Sequence, residues 1–197
     1  MIIVDDFYSN PQEVRDFALK AKYSSAGSED NFPGSQSLMP FYNKAIINKF
    51  ESILGCEIIV DLESHLFGQF RLSLANSSRK TIVHLDDTQW AAVIYLTLDD
   101  YRQGGTHLFQ HLDTGISCVT DESMARIGMT RIQFEREIVM RDSLNMSKWK
   151  RLISSDLKFN RMVLIEGSKY LHGVEDIFGQ SFQNGRLTQH FFFNCKV

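Results

Sequence analysis

The sequence lacks an excess of charge, a long apolar run and a regular cysteine pattern, and each absence excludes a class of function. Twenty-one basic residues against 24 acidic ones leave a formal charge of -3, so there is no global electrostatic footprint for nucleic acid or an anionic membrane. The longest apolar stretches, such as residues 90–96, are too short to span a bilayer. The opening MIIVDDFYSN carries two acidic residues where a secretory leader needs a basic start and a longer apolar run. Cys56, Cys118 and Cys195 are odd in number and irregularly spaced, which points to neither a disulfide framework nor a zinc knuckle. These absences together lead us to expect a soluble, cytoplasmic protein with no nucleic-acid or membrane partner.

What is present is ordinary globular material. Hydrophobic residues make up 43% and charged residues 23% of 197 positions, enough to bury the core of one domain. A short strand at 2–4 runs into Asn10-Pro11-Gln12-Glu13, a helix start with Asn10 as its cap, and Val14, Phe17, Ala18 and Ala21 recur at helical spacing. Residues 24–37 form a polar loop punctuated by Gly and Pro. A second helix is predicted over 43–54, closed by Gly55.

Beyond Gly55 the period falls to two. Residues 69–74 alternate polar and apolar, 91–98 is a nearly continuous β-prone run, and 106–110 follows Gly104-Gly105. Residues 119–155 break this pattern with helix-favouring sequence in which Met124, Ile127, Phe134 and Ile138 form one stripe. The modest basic excess of that stretch reads as a solvated face. Strand character returns over 161–166, 170–177 and 187–195. The expected organisation is a single domain with a helical layer at 1–60, a β core at 61–118 and 156–197, and a helical insert at 119–155. That is an α+β, mainly β architecture compatible with a jelly-roll barrel.

His84-Leu85-Asp86 falls at a predicted strand end, where His84 and Asp86 point one way and Leu85 the other. They supply two members of the two-histidine, one-carboxylate set that binds non-haem iron(II) and leaves coordination positions open. Alone, His-x-Asp is a weak signal and more often a surface pair. His172, in Tyr170-Leu171-His172-Gly173, is the candidate third ligand, with room for several strands between it and Asp86. Arg186 opens the next strand, flanked by Leu187 and by Phe191 to Phe193. A guanidinium there is costly to bury unless an anion meets it. Its planar fork can hold a terminal carboxylate through two parallel hydrogen bonds. Thr188 and His190 share its face by alternation, so Thr188 can add a hydrogen bond.

The ordered set of His84-x-Asp86, the Tyr95 strand, Gly104-Gly105, His172 and Arg186 resembles the 2-oxoglutarate/iron(II) oxygenase superfamily, nearest its prolyl-hydroxylase-like branch, over roughly residues 69–195. Ile3-Val4-Asp5-Asp6-Phe7-Tyr8 and Phe159-Asn160-Arg161 are similar to segments of a group of short members. The resemblance implies a double-stranded β-helix with His84, Asp86 and His172 as iron ligands, Arg186 on the distal carboxylate of 2-oxoglutarate, and Tyr95 assisting the co-substrate. It also implies an enzyme: a dioxygenase that hydroxylates a peptide or small-molecule substrate, releases succinate and carbon dioxide, and uses ascorbate as an accessory reductant. Asp86 favours hydroxylation over halogenation, because the superfamily's halogenases carry a small residue there. Phe191 to Phe193 stand where nucleic-acid-demethylating members carry a second arginine, which argues against that substrate.

Two features depart from the family pattern, the longer stretch between His172 and Arg186 and the 119–155 insert. A cupin-like metalloenzyme that makes no use of 2-oxoglutarate, and a non-catalytic β-helix binding module, are the competing readings; the first has no need of Arg186. Gln69 and Arg71 share a strand face and either meet a ligand or face solvent. His107 belongs either to the outer shell of the site or to a hydrogen-bonded core. His65, His111 and His190 have no spacing that singles them out, and Asn160 and Arg161 are expected to tie strands together.

Overall fold

Alternation along the last strand organises the layers. A computed structural model describes residues 1–24, 33–101 and 103–196. In it β11 (Arg186–Cys195) sends Leu187, Phe191 and Phe193 into an aromatic core and Arg186, His190 and Phe192 into a pocket on its other face. The strand lies inside an antiparallel sheet ordered β1 (Ile2–Val4), β9 (Met162–Ile165), β6 (Trp90–Tyr95), β11, β4 (Phe67–Ser73), β2 (Ser35–Gln36), while β3 (Ile58–Ile59) pairs with the far end of β11. Thr188 stands opposite Arg71 on β4 and Tyr95 on β6, so these three share the pocket-side face.

Two helices cover the other face. In α1 (Pro11–Lys20) Val14 and Ala18 are buried, and in α2 (Lys44–Leu54) Ile46 and Phe50 are, the face that the 3.6-residue spacing marks. The Phe50 ring packs against Phe7, Phe191 and Phe193 at centroid distances of 5.0 to 5.6 Å. Asn43 caps α2 by accepting from the Ile46 N–H, and Gly55 ends it in the left-handed region at φ 70. Asn10 does not cap α1: its side chain makes no bond to the helix backbone and donates to Glu13 instead. Polar groups that enter this layer are paired, as with Gln189, whose amide donates to the carbonyls of Phe41 and Gly68 and accepts from the Tyr8 hydroxyl.

A second antiparallel sheet, ordered β5 (Val83–His84), β10 (His172–Gly173), β7 (Gly105–His111), β8 (Trp149–Asp156), lies across the pocket from the first. The Tyr95 hydroxyl, 2.7 Å from Thr106 Oγ1, joins the two. On the outside of this sheet sit α3 (Asp121–Ile127) and a longer helical run. That run is α4 (Arg131–Phe134), a π-helical turn (Glu135–Val139) and α5 (Met140–Asp142). Thr120 and Thr130 form capping boxes, and Met124, Phe134 and Ile138 pack with Val83, Phe109 and Trp149.

Three sequence expectations need correcting. Residues 149–155, assigned above to the helical insert, belong to β8. As an edge strand exposed on both faces from Lys150 to Ser154, it carries no alternation to betray it. The strand expected over 170–177 shrinks to His172–Gly173, with an isolated bridge from Tyr170 to Cys118. Cys56 and Cys195 form a disulfide despite lying 139 positions apart, because β3 and β11 pair Ile58 with Cys195. The expectation of a reducing compartment loses the support it drew from unpaired cysteines. The loop expected at 24–37 falls mostly outside the described residues, and its end supplies β2. Among the described residues, no helix is long and apolar enough to cross a membrane.

The turn before β9 carries a checkable load. Asn160 adopts φ 63, its amide donates to the Tyr8 carbonyl and accepts from the Tyr8 N–H, and its own carbonyl accepts from the Phe7 N–H. Removing the side chain leaves two backbone groups of Tyr8 without their partners. Asn160→Ala is expected to destabilise the fold by about 2 kcal/mol, measured by urea unfolding; Asn160→Gly, which relieves the backbone but not the lost amide, is expected to recover only part of that.

Candidate metal centre and its two pockets

The paired strands β5 and β10 bring His84 and His172 face to face, since the antiparallel register sets them directly opposite each other. Their ring centroids are 4.4 Å apart. Asp86, two residues past His84, leaves the strand and is held by its backbone N–H, which donates to the Gly167 carbonyl at 2.9 Å. One ligand atom from each of the three lies within 4.8 Å of the others. The structure thus gathers the three side chains that the sequence reading singled out.

The hydrogen bonds aim them. His84 Nδ1 lies 3.1 Å from the Ile82 carbonyl and His172 Nδ1 2.8 Å from the Tyr170 carbonyl. Each carbonyl is two residues upstream and can only accept. Both imidazoles therefore carry their proton on Nδ1 and turn a bare Nε2 inward, the arrangement that orients metal-ligating histidines. Asp86 Oδ1 is 3.7 Å from His84 Nε2, and Oδ2 is 3.1 Å from His172 Nε2. Oδ2 is nonetheless buried with no hydrogen-bond partner among the described residues. A buried carboxylate oxygen between two inward nitrogens is a donor set that fits a divalent cation.

The electrostatics favour an ionised carboxylate at this site. Burial, and next the charge of His172, push His84 down to about 4. Burial would raise Asp86, but His172 and His84 beside it hold the carboxyl below its ordinary range. Burial would lower His172, and the Asp86 carboxylate outweighs it. The net effect is a deprotonated carboxylate, the form that ligates.

An inner pocket of about 700 Å3, its open mouth included, lies between the sheets on one side of this set. Arg186 and His190 enter it from β11 and Arg71 from β4. Arg186 is 4% exposed, and its Nε and Nη2 find no acceptor among the described residues; burial pulls its pKa down, with Tyr95 opposing. The Tyr95 ring lies 5.7 Å from the guanidinium carbon. Thr188 is fully buried, its hydroxyl 2.8 Å from His190 Nε2 and 3.4 Å from the Arg71 carbonyl. His190 Nδ1 has no partner among the described residues, and burial, then Arg71 and Arg186, keep the ring neutral.

A second, outer pocket opens on the other side of His84 and Asp86. Its walls are His65, Leu85 and Asp87 from the loops and Glu135, Val139 and Met140 from the helical run of the insert. His84, Asp86, Thr81 and Phe192 line both pockets and form the partition between them.

Other candidates fall elsewhere. His107 donates to or accepts from Ser154 at 2.9 Å and sits beside Leu108, the residue opposite His172, so alternation turns it away from the centre. His111 is buried in a network with Asp142 and Thr114, and Arg161 pairs with Asp5. Sequence reasoning passed over His190, which shares the Arg186 face, and Gly167, whose loop position carried no signal. A Cβ on Gly167 would stand 2.3 Å from Asp86 Oδ2.

Comparison with known proteins places this architecture. HygX from Streptomyces hygroscopicus, crystallised with nickel and 2-oxoglutarate, superposes at a TM-score of 0.52 with 9% sequence identity, over 100% of this chain and 83% of HygX. The form with nickel, 2-oxoglutarate and hygromycin B bound superposes at 0.50, with the same identity and coverage. The fold is therefore that of HygX. KdoO, a Kdo hydroxylase and non-heme Fe(II) alphaketoglutarate dependent dioxygenase, overlaps at 0.36, with 10% identity, over 64% of this chain and 52% of its own, too little to bear on the site. No curated protein matches the sequence. The chain belongs to the family of unknown function DUF6445, whose profile matches residues 1–193.

The tight approach at Gly167 yields a test. Gly167→Ala is expected to displace the Asp86 carboxylate and weaken Mn(II) or Ni(II) binding by roughly 10-fold or more, read by isothermal titration, while far-ultraviolet circular dichroism stays that of the parent. Unchanged metal affinity would show that Asp86 Oδ2 is not part of the centre.

Proposed function

We propose that the protein is an Fe(II)- and 2-oxoglutarate-dependent dioxygenase that hydroxylates a small-molecule or peptide substrate. The observation that carries this reading is the presence, in one cavity, of a His84/Asp86/His172 set with an orphaned carboxylate oxygen and a buried Arg186 with two unsatisfied N–H groups. A metal alone accounts for the first; only an anion accounts for the second. We read the two facing sheets as the halves of a double-stranded β-helix. The binding of nickel and 2-oxoglutarate by HygX, which has the same fold, supports this assignment.

His84 Nε2, His172 Nε2 and an Asp86 oxygen would hold the iron. Arg186 would grip the distal carboxylate of 2-oxoglutarate in the inner pocket, with a desolvated guanidinium strengthening the pair. Tyr95 borders that guanidinium, and Thr188 supports the site by holding His190 and the Arg71 backbone. Bound together, the iron and 2-oxoglutarate would let dioxygen act as the oxidant, one oxygen atom entering the substrate C–H bond and the other the succinate formed as 2-oxoglutarate loses carbon dioxide. The outer pocket, open to the same two ligands, would receive the substrate, so the partition keeps co-substrate and substrate on opposite sides of the reacting centre. Hygromycin B in HygX is a precedent for a small molecule in this fold.

Purified protein given Fe(II), ascorbate and 2-oxoglutarate is expected to form succinate slowly without substrate, and His84→Ala to abolish this. Arg186→Ala is expected to weaken 2-oxoglutarate binding by at least ~10-fold while leaving metal affinity near that of the parent. Metal binding without 2-oxoglutarate binding in the intact protein would replace this reading with a cupin-like enzyme.

A further inference from the structure

Arg131 is the first residue of α4, directly after the cap Thr130. A cation at a helix N-terminus opposes the macrodipole, so helix stability does not explain it. Its hydrogen bonds do. Nε donates to Glu135 Oε1 one turn on, at 2.6 Å, which aims the rest of the fork away from the helix. Nη1 donates to the Ser168 carbonyl at 2.6 Å and Nη2 to the Asp86 carbonyl at 3.3 Å. Ser168 follows Gly167, the acceptor of the Asp86 N–H. The guanidinium thus closes the gap between the loop that carries Asp86 and the turn against which that loop rests. Asp86 is anchored at its main chain by two bonds, its N–H to Gly167 and its carbonyl to Arg131, while Oδ2 has no hydrogen-bond donor among the described residues.

We propose that Arg131 is a positioning residue for the metal centre, through which the helical insert locks the Asp86 loop against the Gly167-Ser168 turn. The proposal rests on the metal-binding reading of the site given above. It assigns the insert a second task as well, since Glu135, Val139 and Met140 of the same helical run wall the outer pocket. The element that meets the substrate is then the element that steadies a metal ligand, and a fork with two carbonyl acceptors is a geometry that lysine cannot reproduce.

The test is Mn(II) titration of the metal-free full-length protein, without co-substrate, followed by electron paramagnetic resonance. The parent is expected to bind Mn(II) and His84→Ala to lose it. Arg131→Ala is expected to bind 10- to 100-fold more weakly, the scale for groups that orient metal ligands. Arg131→Lys, which keeps the charge and one donor, should fall between, with a bound-Mn(II) line shape altered from that of the parent. Arg136→Ala, on the same run but 71% exposed, should match the parent. Affinity of Arg131→Ala within about twofold of the parent overturns the proposal and leaves the metal reading standing. Should Arg131→Ala fail to fold, parent-like affinity and line shape in Arg131→Lys overturn it equally. If the parent itself binds no Mn(II), both the metal reading and the role of Arg131 fall together.

Discussion

The centre depends on one close approach, the packing of Asp86 against a residue that has no side chain. The Asp86 N–H reaches the Gly167 carbonyl at 2.9 Å, and any Cβ at Gly167 would occupy the space of Oδ2. The same logic repeats one strand pair away. Gly173, beside His172, lies so close to the Ile82 carbonyl that a Cβ would stand 2.0 Å from it, and that carbonyl is the one that fixes the His84 tautomer. Two glycines therefore let two backbones approach, and the approach is what turns three scattered side chains into a set. Polar groups in so dry a place hold their geometry only when each is satisfied or awaits a ligand.

Among the described residues, two of the buried groups left without a partner bear on a ligand. Asp86 Oδ2 awaits a cation, while Arg186 Nε and Nη2 await an acceptor. They line one cavity, so a metal ion together with the anion that chelates it would answer both demands. The architecture that allows this is a strand with two lives. On one face β11 presents Leu187, Phe191 and Phe193 to the helices, and that apolar packing supplies the stability against which a buried arginine on the other face can be maintained.

The helical insert changes standing once its contacts are traced. Its basic excess reads from sequence as a solvated face, and for exposed Arg136 that holds. Arg131 is different, because its two Nη groups end on the main-chain carbonyls of Ser168 and Asp86. Nothing in charge counting separates the two; the difference lies in what stands opposite each in space. The edge strand β8 and the Cys56 to Cys195 pair escaped sequence reading for related reasons, one because an exposed edge has no burial period, the other because pairing over 139 positions is a matter of register.

Short-range patterns in the chain account for the helical face of Ile46 and Phe50, the Gly55 stop, the His84/Asp86 alternation and the apolar strands around Arg186. These follow from periods of 3.6 and 2.0 and from capping chemistry, which act over a few residues. Packing between distant segments decides that His172 faces His84, that Gly167 seats Asp86, that His107 turns away from the pocket, and that Arg131 of the insert reaches the Asp86 carbonyl. Each of those outcomes is set by strand register and by which loop packs on which, and such long-range choices leave no periodic trace in the chain.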